Sequence, residues 1–221
     1  MMCYDAVIFD LDGTLLDTLG DLAASTNRAL SHFGLPRRSL EEVRQFVGNG
    51  VEKLIRRAVP AGTDERLILD CLDWFKGDYL EHMEDQTAPY PGILALLEAL
   101  RDNGCKAAVV SNKFDGAVKG LCRKHFGDLL PAAIGERPGM RKKPARDLVD
   151  LCIAELGVPV ERCVYVGDSD VDIQTAANAG LPCLSVSWGF RSRDFLLEHG
   201  AAEILDTPDA LRQRLSLPCQ K

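Results

Sequence analysis

What this chain lacks narrows its function before any motif is read. No apolar run approaches the roughly 18 to 20 residues of a membrane-spanning helix. The first residues carry no basic stretch followed by a long apolar segment and a cleavage site. Both absences point to a cytoplasmic protein with no membrane partner. A basic surplus is missing as well: 26 Lys and Arg face 33 Asp and Glu, for a net charge of −7 and a pI near 5.2. A nucleic-acid partner is therefore not expected, because binding a phosphate backbone needs a basic face. The eight cysteines, at 3, 71, 105, 122, 152, 163, 183 and 219, include no C-x-x-C pair, and the four histidines are scattered. That pattern argues against zinc and against a disulfide framework. Several of these cysteines lie in apolar stretches, where a thiol behaves as a small hydrophobe; Cys3 and Cys219 are the two for which a redox role stays open. There is no internal repeat and no low-complexity tract.

What is present begins at the end of a short apolar run. The chain has 221 residues, 46% hydrophobic and 27% charged, enough for one core plus a small insert. Ala6 to Phe9 reads as a buried strand, and Gly13 with Thr14 breaks it. Asp10 and Asp12 follow that strand two positions apart, so side-chain alternation can point them the same way. Two anions in one place repel each other. The pair suits a divalent cation, or a division of labour in which one carboxylate stays ionised and the other carries a proton. A solvated turn is the plainer alternative, since Asp, Gly and Thr are ordinary turn residues.

Further polar clusters recur at strand ends. Ala108 to Val110 runs into Ser111, Asn112 and Lys113, and Cys163 to Val166 runs into Gly167, Asp168, Ser169, Asp170, Val171 and Asp172. Lys142 and Lys143 precede Pro144 where a helical pattern starts. In an open parallel sheet, the carboxyl edge of the strands is where ligands bind.

Between the first strand and Pro89 the pattern is helical throughout. Thr18 is placed to cap a helix ending near Gly34, Ser39 with Glu42 fits a capping box, Val51 to Val59 stops at Pro60, and Thr63 to Glu65 opens a helix to about Asp85. From Ile93 onward strand and helix alternate: strands at 106–111, 132–135, 163–166, 183–187 and 203–205, helices at 93–103, 116–125, 146–156, 172–179 and 208–215. The fold class expected is α/β, a Rossmann-like parallel-sheet core covered on both faces. Residues 1–16 and 88–221 form that core, and 17–87 form a small all-helical cap inserted after the first strand.

The set D-x-D-G-T at Asp10, a hydrophobic strand ending in Ser111, Lys143-Pro144 and G-D-x-x-x-D at Gly167 resembles the haloacid dehalogenase superfamily in its phosphatase branch. The strings VGNG at Val47, VSNK at Val110 and YVGDSDVDIQTAANAG at Tyr165 resemble bacterial phosphoglycolate phosphatases. One departure is Lys143, Pro144, Ala145, Arg146, which lacks the second proline of the usual K-P-x-P and is expected to loosen that loop without removing the amine.

The resemblance implies Asp10 as nucleophile and Asp12 as general acid and base. It implies Mg2+ held by Asp10, the backbone carbonyl of Asp12, and Asp168, with Asp172 acting through a metal-bound water or the lysine ammonium. Ser111, Asn112, Lys143 and the Gly13 loop would hold phosphoryl oxygens. Lys143 is preferred over Lys142 because it directly precedes proline. Asn49 is a candidate substrate contact from the cap, or a plain turn residue. Lys113 either meets a substrate carboxylate or is an exposed loop lysine, and Trp188 to Phe190 are expected to pack beside the site.

The implied partner is a small phosphorylated metabolite, 2-phosphoglycolate first, handled by a monomer or homodimer. Alternatives are another small phosphomonoester, pyrophosphate, or a sugar-phosphate mutase. Dehalogenation is disfavoured, because it has no use for the acid and base Asp12 supplies. A phospho-aspartate receiver shares the chemistry but is roughly half as long, without Asp12 or the insert. A catalytically dead binding protein is disfavoured by the intact motif set.

Overall fold

The computed structural model describes residues 4–215, so Cys3 and Cys219 lie outside it. It begins with β1 (Ala6–Phe9), whose four apolar side chains are all buried. The chain then turns through Gly13, at φ +85°, into β2 (Leu16–Asp17). Four helices follow: α1 (Leu19–His32), α2 (Leu40–Phe46), α3 (Val51–Ala58) and α4 (Glu65–His82), after which β3 (Ala88–Pro89) returns. The chain divides into two compact units, one made of the residues up to Leu16 with those from Pro89 on, the other Asp17–Ala88.

Local signals account for the helical unit. Ser39 and Glu42 form the reciprocal box, with Glu42 N–H donating to Ser39 Oγ at 3.2 Å and Ser39 N–H to Glu42 Oε2 at 2.8 Å. Thr18 departs from expectation. It occupies the N-cap position, yet its hydroxyl makes no capping bond and is buried without a partner among the described residues. Asp17 Oδ1 accepts from Leu19 N–H instead, at 3.3 Å. Inside the unit, Leu22, Leu30, Leu54, Ile55, Phe75 and Tyr79 are among the buried apolar residues. Asp21 is buried among them and accepts four contacts, from Gln86 N–H to both oxygens at 3.0 Å, from Thr87 N–H at 2.9 Å and from Thr87 Oγ1 at 2.8 Å.

The larger unit continues with α5 (Ile93–Asp102), β4 (Lys106–Phe114), α6 (Asp115–Phe126), β5 (Ala132–Glu136), α7 (Asp147–Leu156), β6 (Cys163–Gly167), α8 (Asp170–Ala179), β7 (Cys183–Val186), α9 (Arg193–Glu198), β8 (Ile204–Leu205) and α10 (Pro208–Leu215). The parallel sheet has the order β5-β4-β1-β6-β7-β8. Ala6 and Ile8 of β1, Ala108 and Val110 of β4 and Tyr165 of β6 share a buried cluster with Leu148, Val149 and Cys152 of α7 and Ala176 and Ala179 of α8.

Phe9 stands opposite Val109 on one side and Val166 on the other, so the residues that follow each of these strands emerge along one edge. Strand order reverses about β1, which makes that edge a topological switch point. Besides the two-residue strands β2 and β3, which the sequence reading did not contain, two elements differ from it. The short α9 was not expected; it starts at Ser192, whose Oγ accepts from Phe195 N–H at 3.2 Å. β4 runs three residues past Ser111, to Phe114. Among the described residues the cysteines are free thiols, and no helix is long and apolar enough to cross a membrane.

Candidate active site

Because the edge of β1 lies between β4 and β6, acidic residues far apart in sequence meet there. Asp10 N–H donates to Val166 O at 2.9 Å, and its Oδ1 accepts from Leu11 N–H at 2.7 Å and Lys143 Nζ at 2.9 Å. Asp168 leaves β6 with both oxygens engaged: Oδ1 accepts from Thr14 Oγ1 at 3.1 Å and Oδ2 from Phe190 N–H at 2.7 Å. Asp172, in the first turn of α8, accepts from Ser169 N–H and Oγ on Oδ2 and from Lys143 Nζ at 2.8 Å on Oδ1. Asp10, Asp168 and Asp172 each offer an oxygen, all within 4.8 Å of one another. A set of clustered carboxylate oxygens is the donor chemistry of a hard divalent cation, so these residues fit one.

The electrostatics follow from crowding. Burial, with Asp172 and Asp12 nearby, pushes the Asp10 carboxyl up to about 7 against the pull of the Lys143 ammonium. Burial with Asp172 and Asp10 pushes Asp168 up to about 8, opposed by the Phe190 N–H and the Thr14 hydroxyl. For Lys143, burial works against the charge, and the carboxylates of Asp10 and Asp172 outweigh it, holding the amine well above its ordinary value.

The two lysines of the pair separate cleanly. Lys143 is 3% exposed and reaches Asp10, Asp172 and Tyr165, whereas Lys142 is partly exposed and lies 3.4 Å from Glu136. Ser111 is buried at the end of the apolar part of β4, its Oγ accepting from Lys113 N–H at 3.3 Å.

Asn112 has a role the sequence did not display. Its side-chain amide is committed to the backbone of Lys143, donating to Lys143 O at 3.0 Å and accepting from Lys143 N–H at 2.8 Å. It therefore fixes the main chain that carries the lysine. Lys113 is not an exposed loop lysine, because it is buried with Nζ 2.7 Å from Asp12 Oδ1. Asn49 belongs to the helical unit, where its Oδ1 lies 3.5 Å from Lys53 Nζ.

Glycine is required at three points of this edge, one of them Gly167, where a Cβ would overlap Asp172. A Cβ on Gly13 would sit 2.5 Å from Asp168 Oδ2, at a φ that already favours glycine, and one on Gly189 would collide with Gly13 O and with Asp168. Trp188 Nε1 donates to Thr14 O at 3.0 Å, so the 188–190 segment braces both the loop after β1 and Asp168.

Tyr165 is a residue that sequence reasoning missed. Its hydroxyl accepts from Lys143 Nζ at 3.1 Å and lies 3.2 Å from Asp172 Oδ1 and 3.3 Å from Val110 O. A hydroxyl inside an otherwise apolar strand, two residues before Gly167, was the available signal.

Comparisons with known proteins agree on one family. The sequence profile of the family described as Haloacid dehalogenase-like hydrolase matches residues 7–186. A phosphoglycolate phosphatase of Pseudomonas syringae pv. tomato is 35% identical over 206 residues, 90% of this chain and 75% of the relative. A Lactobacillus delbrueckii subsp. bulgaricus crystal structure, provisionally described as a phosphoglycolate phosphatase, superposes with a TM-score of 0.92 at 38% identity, covering 97% of this chain and 99% of that one. The structure of CbbY from Rhodobacter sphaeroides in complex with phosphate gives a TM-score of 0.75 at 29% identity, over 93% of this chain and 95% of that one.

Proposed function

The chain belongs to the haloacid dehalogenase-like hydrolase family, and on that premise we propose that it is a magnesium-dependent phosphatase. It hydrolyses a small phosphomonoester through an aspartyl-phosphate on Asp10, and 2-phosphoglycolate is the first candidate substrate. The similarity to named phosphoglycolate phosphatases over most of the chain supports that candidate. The observation that carries the reading is a charge imbalance. Among the described residues the carboxyl groups of Asp10, Asp168 and Asp172 crowd around the Lys143 ammonium, a deficit that one divalent cation offsets.

Asp10 and Asp168, with the backbone carbonyl of Asp12, would hold that cation. Once bound it supplies positive charge that quenches carboxylate repulsion and polarises the phosphoryl group. The chain's own residues do the rest. Leu11 N–H and Lys143 fix Asp10 Oδ1, which leaves Oδ2 for attack on phosphorus. As the P–O ester bond breaks, its electron pair goes to the leaving oxygen, and Asp12 delivers a proton there. Water then attacks the acyl phosphate, Asp12 takes its proton, and Asp10 departs as carboxylate. Lys143 and Ser111 hold phosphoryl oxygens, and Asp172 keeps the Lys143 ammonium in place.

The test is phosphate release from a panel of small phosphorylated metabolites with magnesium and with chelator, together with mass spectrometry of acid-quenched protein for a phosphate on Asp10. Equal rates on phosphoglycolate and on sugar phosphates would remove the substrate assignment. No release from any substrate would remove the phosphatase reading.

A further inference from the structure

We propose that Lys113 is a positioning residue for Asp12, and that the site is thereby built for phosphate esters of alcohols, whose leaving oxygen needs a proton, rather than for aryl esters or pyrophosphate. This rests on the reading of Asp12 as proton donor.

The geometry starts in β4. Val110 pairs with Ile134 and Phe114 with Glu136, so Ser111, Asn112 and Lys113 all stand opposite the single residue Gly135. A bulge of this kind bends a strand and re-aims its side chains. Gly135 makes it possible: a Cβ there would lie 2.5 Å from Asp115 Cα and 2.6 Å from Lys113 O. The far end of the bulge is tied down by Asp115, whose Oδ1 accepts from Gly135 N–H at 3.0 Å and Arg137 Nε at 2.9 Å.

The result is a lysine whose side chain is 2% exposed, with Nζ 2.7 Å from Oδ1 of an Asp12 side chain that is 15% exposed. Withdrawing an ammonium from water is costly unless a partner is held in good geometry. The bulge delivers that partner and fixes one oxygen of Asp12. That leaves Oδ2 as the oxygen through which Asp12 would pass a proton to the leaving group. Its O–H bond breaks as the leaving alkoxide takes that proton, and the attacking water restores it in the second half-reaction.

A well-placed acid matters most when the leaving group is a strong base. An alkoxide needs its proton in the transition state; p-nitrophenolate leaves without one. A lysine that instead recognised a substrate carboxylate would discriminate by carboxylate, not by leaving group.

The experiment measures kcat/KM of wild type, Lys113→Met and Lys113→Arg on p-nitrophenyl phosphate, ethyl phosphate and 2-phosphoglycolate. Lys113→Met is expected to lose about 100-fold on both alkyl esters and less than about fivefold on the aryl ester, with Lys113→Arg showing the same pattern more weakly. In an Asp12→Asn background the Lys113→Met change should add almost nothing on alkyl esters. A uniform loss across all three substrates, or a loss confined to phosphoglycolate, overturns the proposal while leaving the phosphatase reading intact. Should Lys113→Met fail to fold, Lys113→Arg carries the same comparison and the same overturning outcomes. Wild-type protein that releases no phosphate removes both.

Discussion

Asp21 in the helical unit and Asp168 at the edge of the parallel sheet are both sealed from solvent, at 0% and 2% exposure, yet their surroundings differ in kind. Among the described residues Asp21 accepts hydrogen bonds from two backbone N–H groups and a hydroxyl of consecutive residues, with the charge of the Arg28 guanidinium nearby. Asp168 has a hydroxyl and a backbone N–H, but shares its space with the carboxylates of Asp10 and Asp172. The first arrangement spends the whole capacity of a carboxylate on holding the chain. The second leaves anions short of positive charge, a condition that favours folding little and ligand binding greatly.

That contrast can be broken by substitution. Asp10→Asn is expected to cut turnover by at least about 10⁴-fold, since it removes the nucleophile of a unit whose parts act together. The same change should raise the melting temperature of cation-free protein at pH 8, because one of the crowded anions is gone; a lowered melting temperature would mean the cluster is structural after all. Lys143→Met should reduce kcat by about 100-fold or more and destabilise by about 3 kcal/mol, as it strands Asp10 and Asp172 without their shared cation. Asp21→Asn should do the reverse of Asp10→Asn, costing about 2 kcal/mol of stability while activity per folded molecule stays at the wild-type value. Denaturant melts paired with phosphate release read both axes.

The pH dependence sharpens the comparison further. Asp10 and Asp168 sit near 7 and 8, above their ordinary 3.8, so the cation-free folded protein holds protons that the unfolded chain has released. Unfolding free energy should therefore fall as pH rises from about 4 to 8 in chelator, and saturating magnesium should flatten that slope. Melts at several pH values with and without the cation check it; coincident slopes would detach these carboxylates from metal binding. The smallest effect is expected from Tyr165→Phe, which deletes one neutral acceptor of Lys143 and should lower kcat about fivefold with little change in stability.

Much of this arrangement was legible in the sequence because strand ends announce themselves. Asp10 and Asp168 follow apolar runs, with Gly13 three residues after the first and Gly167 just before the second, and Lys143 stands out from Lys142 by the proline after it. The capping box of Ser39 and Glu42 is equally local. What could not be read depends on chain segments meeting across long separations. Thr14 and Phe190 bond Asp168 from opposite ends of the chain, and neither carries a sign of it in its own neighbourhood. The two ends of the Asn112 amide find a backbone 31 residues away. The burial of Lys113, against the exposed-loop alternative, could not be read because the pairing irregularity that turns it inward is a property of two strands together. α9, six residues long, has too few turns to display a periodic face.

The glycines at 13 and 189 carry no functional group, yet no larger residue fits beside Asp168 at either place. In a saturation survey of single variants, these positions should score as intolerant as the acids themselves. Such intolerance would record an empty volume that the scaffold must preserve, and it confines innovation to other parts of the molecule. New substrate preferences on this framework are then most accessible to variants that leave the two hollow positions alone.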